Sequence, residues 1–145
     1  LGLLLKILLY MAEVEEEKKS ESSTTNTAST MKAIVCTEYG EPSQVLKLID
    51  VPRPKPKADE LLIEVHSVAL NPVDYKMVKG WLGLLLRKSF PWIVGRDFAG
   101  RVIEIGSKLN RGNLRSYRGI EVGSFVCGMI DHLRNDGTFC EYLCV

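Results

Sequence analysis

The stretch Pro91-Trp92-Ile93-Val94-Gly95-Arg96-Asp97-Phe98-Ala99-Gly100-Arg101-Val102-Ile103-Glu104-Ile105-Gly106 limits the possible folds more than any other part of the chain. It reads as a tight turn at Gly95, a strand from about Phe98 to Ile105, and a second turn at Gly106. Phe98 and Val102 fall on one face of that strand; Ala99, Ile103 and Ile105 fall on the other. Apolar residues on both faces predict a strand covered from both sides, not an edge. Gly100, inside the run, marks a place where another backbone or a ligand comes close.

Other short strands surround this one in sequence. Lys32 to Thr37 and Val45 to Val51 flank the turn Tyr39-Gly40-Glu41-Pro42, which predicts a hairpin. Pro52-Arg53-Pro54-Lys55-Pro56 is an extended connector. Leu61 to Leu70 alternates, with Ile63, Val65 and Ala69 opposite Glu64 and His66, as a half-buried strand does. Asn71-Pro72 ends it and opens a short helix from Val73 to Lys79, closed by Gly80. Trp81 to Arg87 is an apolar loop or turn. Phe125 to Ile130 is a further strand, and Gly137 to Tyr142 begins the last. Short strands between turn signals, with no repeat and no long βαβ unit, predict a mainly β domain built as a barrel.

The folded part begins at Met31. Residues 1–30 form a disordered or extraneous segment: Leu1 to Tyr10 is apolar, and an acidic then Ser/Thr-rich stretch follows with nothing to bury. The apolar start is shorter than the about 20 residues a bilayer span needs. It reads either as a targeting segment or as flanking sequence translated ahead of a start at Met11 or Met31. A leucine at the first position and an end inside a strand-like run suggest a piece of a longer protein. They also predict an unpaired apolar edge from Cys140 to Val145. The net charge of +1, from 19 basic and 18 acidic side chains, gives no reason to expect nucleic acid or an anionic membrane as partner. Four cysteines in apolar runs (Cys36, Cys127, Cys140 and Cys144) read as buried thiols of a cytoplasmic protein.

Asn71-Pro72-Val73-Asp74 and the Gly95–Gly100 run are read as two parts of one half-cleft. Asn71 can donate and accept at a strand end; its alternative is a turn asparagine bonded to its own backbone. Asp74 caps the helix start. Arg96 and Asp97 pair with neighbouring groups and brace the turn. Arg111, Arg115 and Arg118, in a polar loop from Ser107 to Glu121, could hold an anion or simply be solvated. Cys127, His132, Cys140 and Cys144 match no metal-ligand spacing, and His66 reads as an ordinary structural histidine.

Four motifs then stand in a fixed order: Asn71-Pro72-Val73-Asp74, Gly95-Arg96-Asp97-Phe98-Ala99-Gly100, Val122-Gly123-Ser124-Phe125-Val126 and Gly137-Thr138-Phe139-Cys140-Glu141-Tyr142. Together, over Met31 to Val145, they resemble the N-terminal GroES-like catalytic domain of the medium-chain dehydrogenase/reductase superfamily, in its zinc-independent branch of quinone oxidoreductases and enoyl reductases. The resemblance implies a GroES-like, partly open β-barrel over 31–145 beside a Rossmann domain. It implies NADPH in the cleft between them and hydride transfer to a quinone, an enone or a similar alkene, with no membrane span. The full-length protein could form a homodimer. It implies that Asn71 approaches the nicotinamide or the substrate oxygen, and that Tyr75 and Lys76 contact the cofactor.

The zinc-binding branch carries cysteine where this chain has Asn71, and His-Glu where it has Arg96-Asp97. Amide and guanidinium groups are poor zinc ligands, so no metal is expected. The family's Gly-Asp turn appears here as Gly123-Ser124, which predicts a lost structural hydrogen bond. No Gly-x-Gly-x-x-Gly stands between a strand and a helix, so the half that holds the dinucleotide is not within these residues, and the piece alone is expected to be inactive. The alternative function is an inactive reductase-like scaffold serving as a binding or trafficking factor.

Overall fold

The computed structural model of the chain describes residues 30–81, 83, 87–109 and 119–145. The expected tail, most of the leucine-rich turn after Trp81, and the loop of three arginines lie outside them. The described residues form seven strands and two short helices: β1 (Thr30–Cys36), α1 (Pro42–Val45), β2 (Leu46–Pro52), β3 (Leu61–Ala69), α2 (Pro72–Val78), β4 (Trp92–Ile93), β5 (Asp97–Ile105), β6 (Phe125–Met129) and β7 (Tyr142–Cys144). They make two antiparallel sheets, ordered β2-β1-β4 and β6-β5-β3-β7. The sheets do not close on each other, so the architecture is the mainly β, partly open barrel expected.

The hairpin is as read. β1 and β2 pair from Thr30↔Pro52 to Cys36↔Leu46, and the single turn of α1 joins them. The segment before β7 stitches the two sheets together. Ala33 bridges to Cys140, the Ile34 N–H donates to the Phe139 carbonyl at 2.8 Å, and the Val94 N–H donates to the Ile34 carbonyl at 3.1 Å. Each sheet covers its own core. Cys36, Val45, Met77, Val78, Trp92, Val94 and Phe139 pack together at the α2 end. Leu61, Ile63, Phe98, Val102, Leu109, Ile130 and Leu143 pack under the four-stranded sheet.

Several details depart from the sequence reading. β5 is central, between β3 and β6, but only its Phe98, Gly100 and Val102 face is buried; Arg101 and Glu104 are exposed. β3 does not alternate cleanly. Leu61, Leu62 and Ile63 are all buried and Ala69 is exposed, because register shifts at Leu62/Ile63 and Val65/Ser67 rotate successive side chains. β7 does end its sheet, as expected, but its edge is not bare: Arg134 Nη2 donates to the Cys144 carbonyl at 2.9 Å. Cys127 is exposed, while Cys36 and Cys144 are buried and Cys140 is half-buried. The Gly123-Ser124 turn holds a side-chain hydrogen bond of its own. The Ser124 hydroxyl accepts from the Glu121 N–H at 3.0 Å.

Candidate active site

The site is built where β3 hands over to α2. Asn71 stands in extended backbone (φ −118°, ψ 156°), and Pro72 fixes the first helical position. The N–H of Asn71 donates to Asp74 Oδ2 at 2.8 Å, and the Asp74 N–H returns to the Asn71 carbonyl at 3.0 Å. An acid three residues into the first turn thus closes the helix start, the cap role expected for Asp74. Asp74 is only 5% exposed. Burial pushes its pKa up, against the pull of the Asn71 N–H and the nearby Arg96 guanidinium; Asp97 adds to the push.

Asp97 opens β5, in register with Ala69 of β3. That pairing carries it next to Asn71, and Asn71 Nδ2 donates to Asp97 Oδ2 at 2.6 Å. A carboxylate only accepts, so the NH2 end of the amide must face it.

Arg96 turns the other way. It is 1% exposed, its Nη1 donates to the Asp131 carbonyl at 2.9 Å and the Arg134 carbonyl at 3.3 Å, and its guanidinium carbon lies 5.6 Å from the Trp92 ring centre. Lys88 Nζ donates to the His132 and Arg134 carbonyls. Two cations therefore hold the 131–136 loop by its carbonyls, so Arg96 braces that loop and not its own turn. Burial lowers the pKa of both, that of Lys88 to about 8.

A cleft of about 380 Å³ opens beside these groups. Leu46, Leu70, Val78, Val94 and Phe139 make its apolar walls, while Asn71, Asp74 and Tyr75 bring polar atoms. Phe139 reaches it because Gly95, at φ +91°, leaves no Cβ in the way: one built there would lie 2.2 Å from the Phe139 ring. Tyr75 is 40% exposed and meets Trp81 edge-on, with ring centres 5.8 Å apart. Of the three site residues read from the sequence, Asn71 and Tyr75 line the cleft. Lys76 is half-buried on α2, outside that lining. The sequence reading left Asp97 as a brace and missed Phe139; the meeting of Asn71 and Asp97 depends on the pairing of β3 with β5, which the sequence does not state. A second cavity of about 370 Å³, walled by Met31, Val35, Ile49, Val51, Ile93 and Leu143, holds none of the three.

Among the described residues no group of three or more His, Cys, Asp or Glu is placed to hold a metal ion. His66 lies at the surface, 3.2 Å from Glu64 and edge-on to Phe125. The thiol of Cys140 donates to the Tyr142 carbonyl at 3.1 Å, and burial pushes its pKa up to about 12. No helix among the described residues is long and apolar enough to cross a membrane.

The alcohol dehydrogenase GroES-like domain matches residues 57–145. A chloroplastic quinone-oxidoreductase homolog from Spinacia oleracea is 38% identical over 115 residues, which are 79% of this chain and 32% of that protein. The quinone oxidoreductase of Coxiella burnetii superposes with a TM-score of 0.62 at 35% identity, covering 79% of this chain and 34% of its own. A mycobacterial protein solved in complex with NADPH gives a TM-score of 0.61 at 28% identity, covering 79% of this chain and 30% of its own. The chain spans about a third of the length of the curated relatives it matches. The four ordered motifs, the two-sheet open barrel and these matches lead to one conclusion: the chain belongs to the alcohol dehydrogenase GroES-like domain family, and its homologues are quinone oxidoreductases and enoyl reductases of the medium-chain dehydrogenase/reductase superfamily.

Proposed function

We propose that this chain forms the substrate-side wall of a hydride-transfer cleft in an NADPH-dependent, zinc-independent reductase of quinones, enones or similar activated alkenes. The observation that carries the reading is the Asn71 amide, anchored by Asp97 at 2.6 Å in a cleft with otherwise mostly apolar walls. Such a cleft fits a nicotinamide ring, which needs a flat apolar surface and few polar contacts. When bound, NADPH supplies the hydride. Asn71 then offers its remaining polar atoms to the carboxamide or to the substrate oxygen. Tyr75 offers a hydroxyl and a ring edge. Leu46, Leu70, Val94 and Phe139 keep water out, which strengthens each polar contact. A dinucleotide-binding domain supplies the opposite wall in this reading, and Lys76 remains a candidate for a cofactor phosphate or ribose. The four free cysteines support an enzyme of a reducing compartment, such as the cytoplasm.

The test is NADPH consumption against a panel of quinones and enones, using the protein as translated from its gene, with and without a chelator. Acceptor-dependent turnover that ignores the chelator is expected, and Asn71→Ala should lower kcat/KM by about tenfold to a hundredfold. Absence of both NADPH binding and turnover would sink the reading; turnover abolished by the chelator would sink its metal-free part.

A further inference from the structure

We infer that Asp97 is a positioning residue, which sets the Asn71 amide with Nδ2 turned away and Oδ1 presented as an acceptor. Its function in the reaction rests on the reading above; its geometry does not. The amide has two ends of similar size and opposite polarity; at the helix start it also faces the Asp74 N–H, which favours Oδ1 on that side. Asp97 fixes the other end, because its carboxylate accepts and takes the NH2 group at 2.6 Å. Asp74 holds the same residue from the other side, through the backbone N–H at 2.8 Å. One side chain is therefore fixed at both its backbone and its tip by two carboxylates from different elements. The buried Arg96 lies close enough to Asp74 to lower its pKa, so the pair of acids is not without counter-charge.

This arrangement selects a role. A hydrogen bond from Nδ2 to a carboxylate polarises the amide and makes Oδ1 a better acceptor. A carboxylate beside Nδ2 also disfavours an oxyanion at that end. Asn71 thus suits a donor such as the carboxamide NH2 of a nicotinamide, and does not suit the oxygen of a developing enolate. The ring is then oriented by Oδ1, and the orientation is inherited from Asp97.

The experiment compares Asn71→Ala, Asp97→Ala, the double variant and Asp97→Asn, by steady-state kinetics and by the side-chain amide resonances of Asn71 in the cofactor-free protein. Asp97→Ala should lower kcat by about a hundredfold, the double variant should be no worse than the weaker single variant, and Asp97→Asn, which can still offer an acceptor, should recover most of the loss. In the wild type the Asn71 NH2 pair should be shifted and slow to rotate, and Asp97→Ala should return it to the range of solvated amides. Asp97→Leu keeps the volume without the acceptor and replaces Asp97→Ala if that variant does not fold. Independent, multiplicative losses in the double variant, or an Asn71 amide that behaves as solvated in the wild type, would overturn the inference. The wild-type turnover separately tests the reading of the preceding section; in a protein without turnover, the amide resonances alone decide for or against the positioning.

Discussion

Gly100→Ala is the sharpest test of how the two central strands fit. Gly100 faces Val65 across the β3–β5 pair, just before the register shift at Val65/Ser67. A Cβ built on it would lie 2.2 Å from the Glu64 carbonyl oxygen and 2.8 Å from Ile63 Cγ2. Ordinary contact begins near 3.4 Å, so the strands must part by about 1 Å. Overpacking a core by one methyl costs about 1–3 kcal/mol. Here the obstacle is backbone in a paired strand, which cannot rotate away, so the loss should be about 3 kcal/mol. At about 4 °C for each kcal/mol in a domain of this size, the Tm should fall by about 12 °C. Circular dichroism melts of the wild type and variant measure it. Gly119→Ala is the control, because Gly119 has φ +84° with no atom within 4 Å, so its variant carries backbone strain alone. That strain should cost about 1 kcal/mol. A Gly100→Ala protein that melts with the wild type, or above Gly119→Ala, would refute the close-approach argument.

Two further outcomes follow from the buried charges. Arg96→Met removes both hydrogen bonds to the 131–136 loop and leaves Asp74 without its nearby cation; urea unfolding should show a loss of about 3 kcal/mol, and an unchanged midpoint would contradict it. Asp74 has its pKa raised in the fold, so the folded state holds the proton more tightly than the unfolded chain does. Its contribution to stability is present below the ordinary value of 3.8 and is lost as pH rises through the raised folded value. Asp74→Asn, which can still accept from the Asn71 N–H, should therefore gain stability relative to wild type as pH rises from 3 to 7. A difference between the two that stays flat across that range would show that burial does not penalise this carboxylate.

Much of the fold could be read from the chain because its causes are local. Pro72 after Asn71 could only end a strand and begin a helix, and Gly95 and Gly100 stood where a side chain would not fit. The turn at Tyr39-Gly40-Glu41-Pro42 announced the β1–β2 hairpin. Where the reading slipped, the cause was not local. The bulges in β3 depend on how β5 lies against it, and no alternation pattern within Leu61–Leu70 encodes that. Cys127 looked buried in an apolar run, yet it lies on a strand at the end of the sheet.

The candidate site divides in the same way. The residue types at positions 71, 74, 75, 96 and 97, and their poor match to zinc, were fixed by covalent chemistry and stand in the sequence alone. Only the packing of β5 on β3 brought Asn71 and Asp97 together across 26 positions, sent Arg96 into the interior, and set Phe139 against the cleft. Hydrogen-bond partners distant along the chain are chosen by which strands lie side by side, and strand order is a property of the whole sheet, not of any one segment.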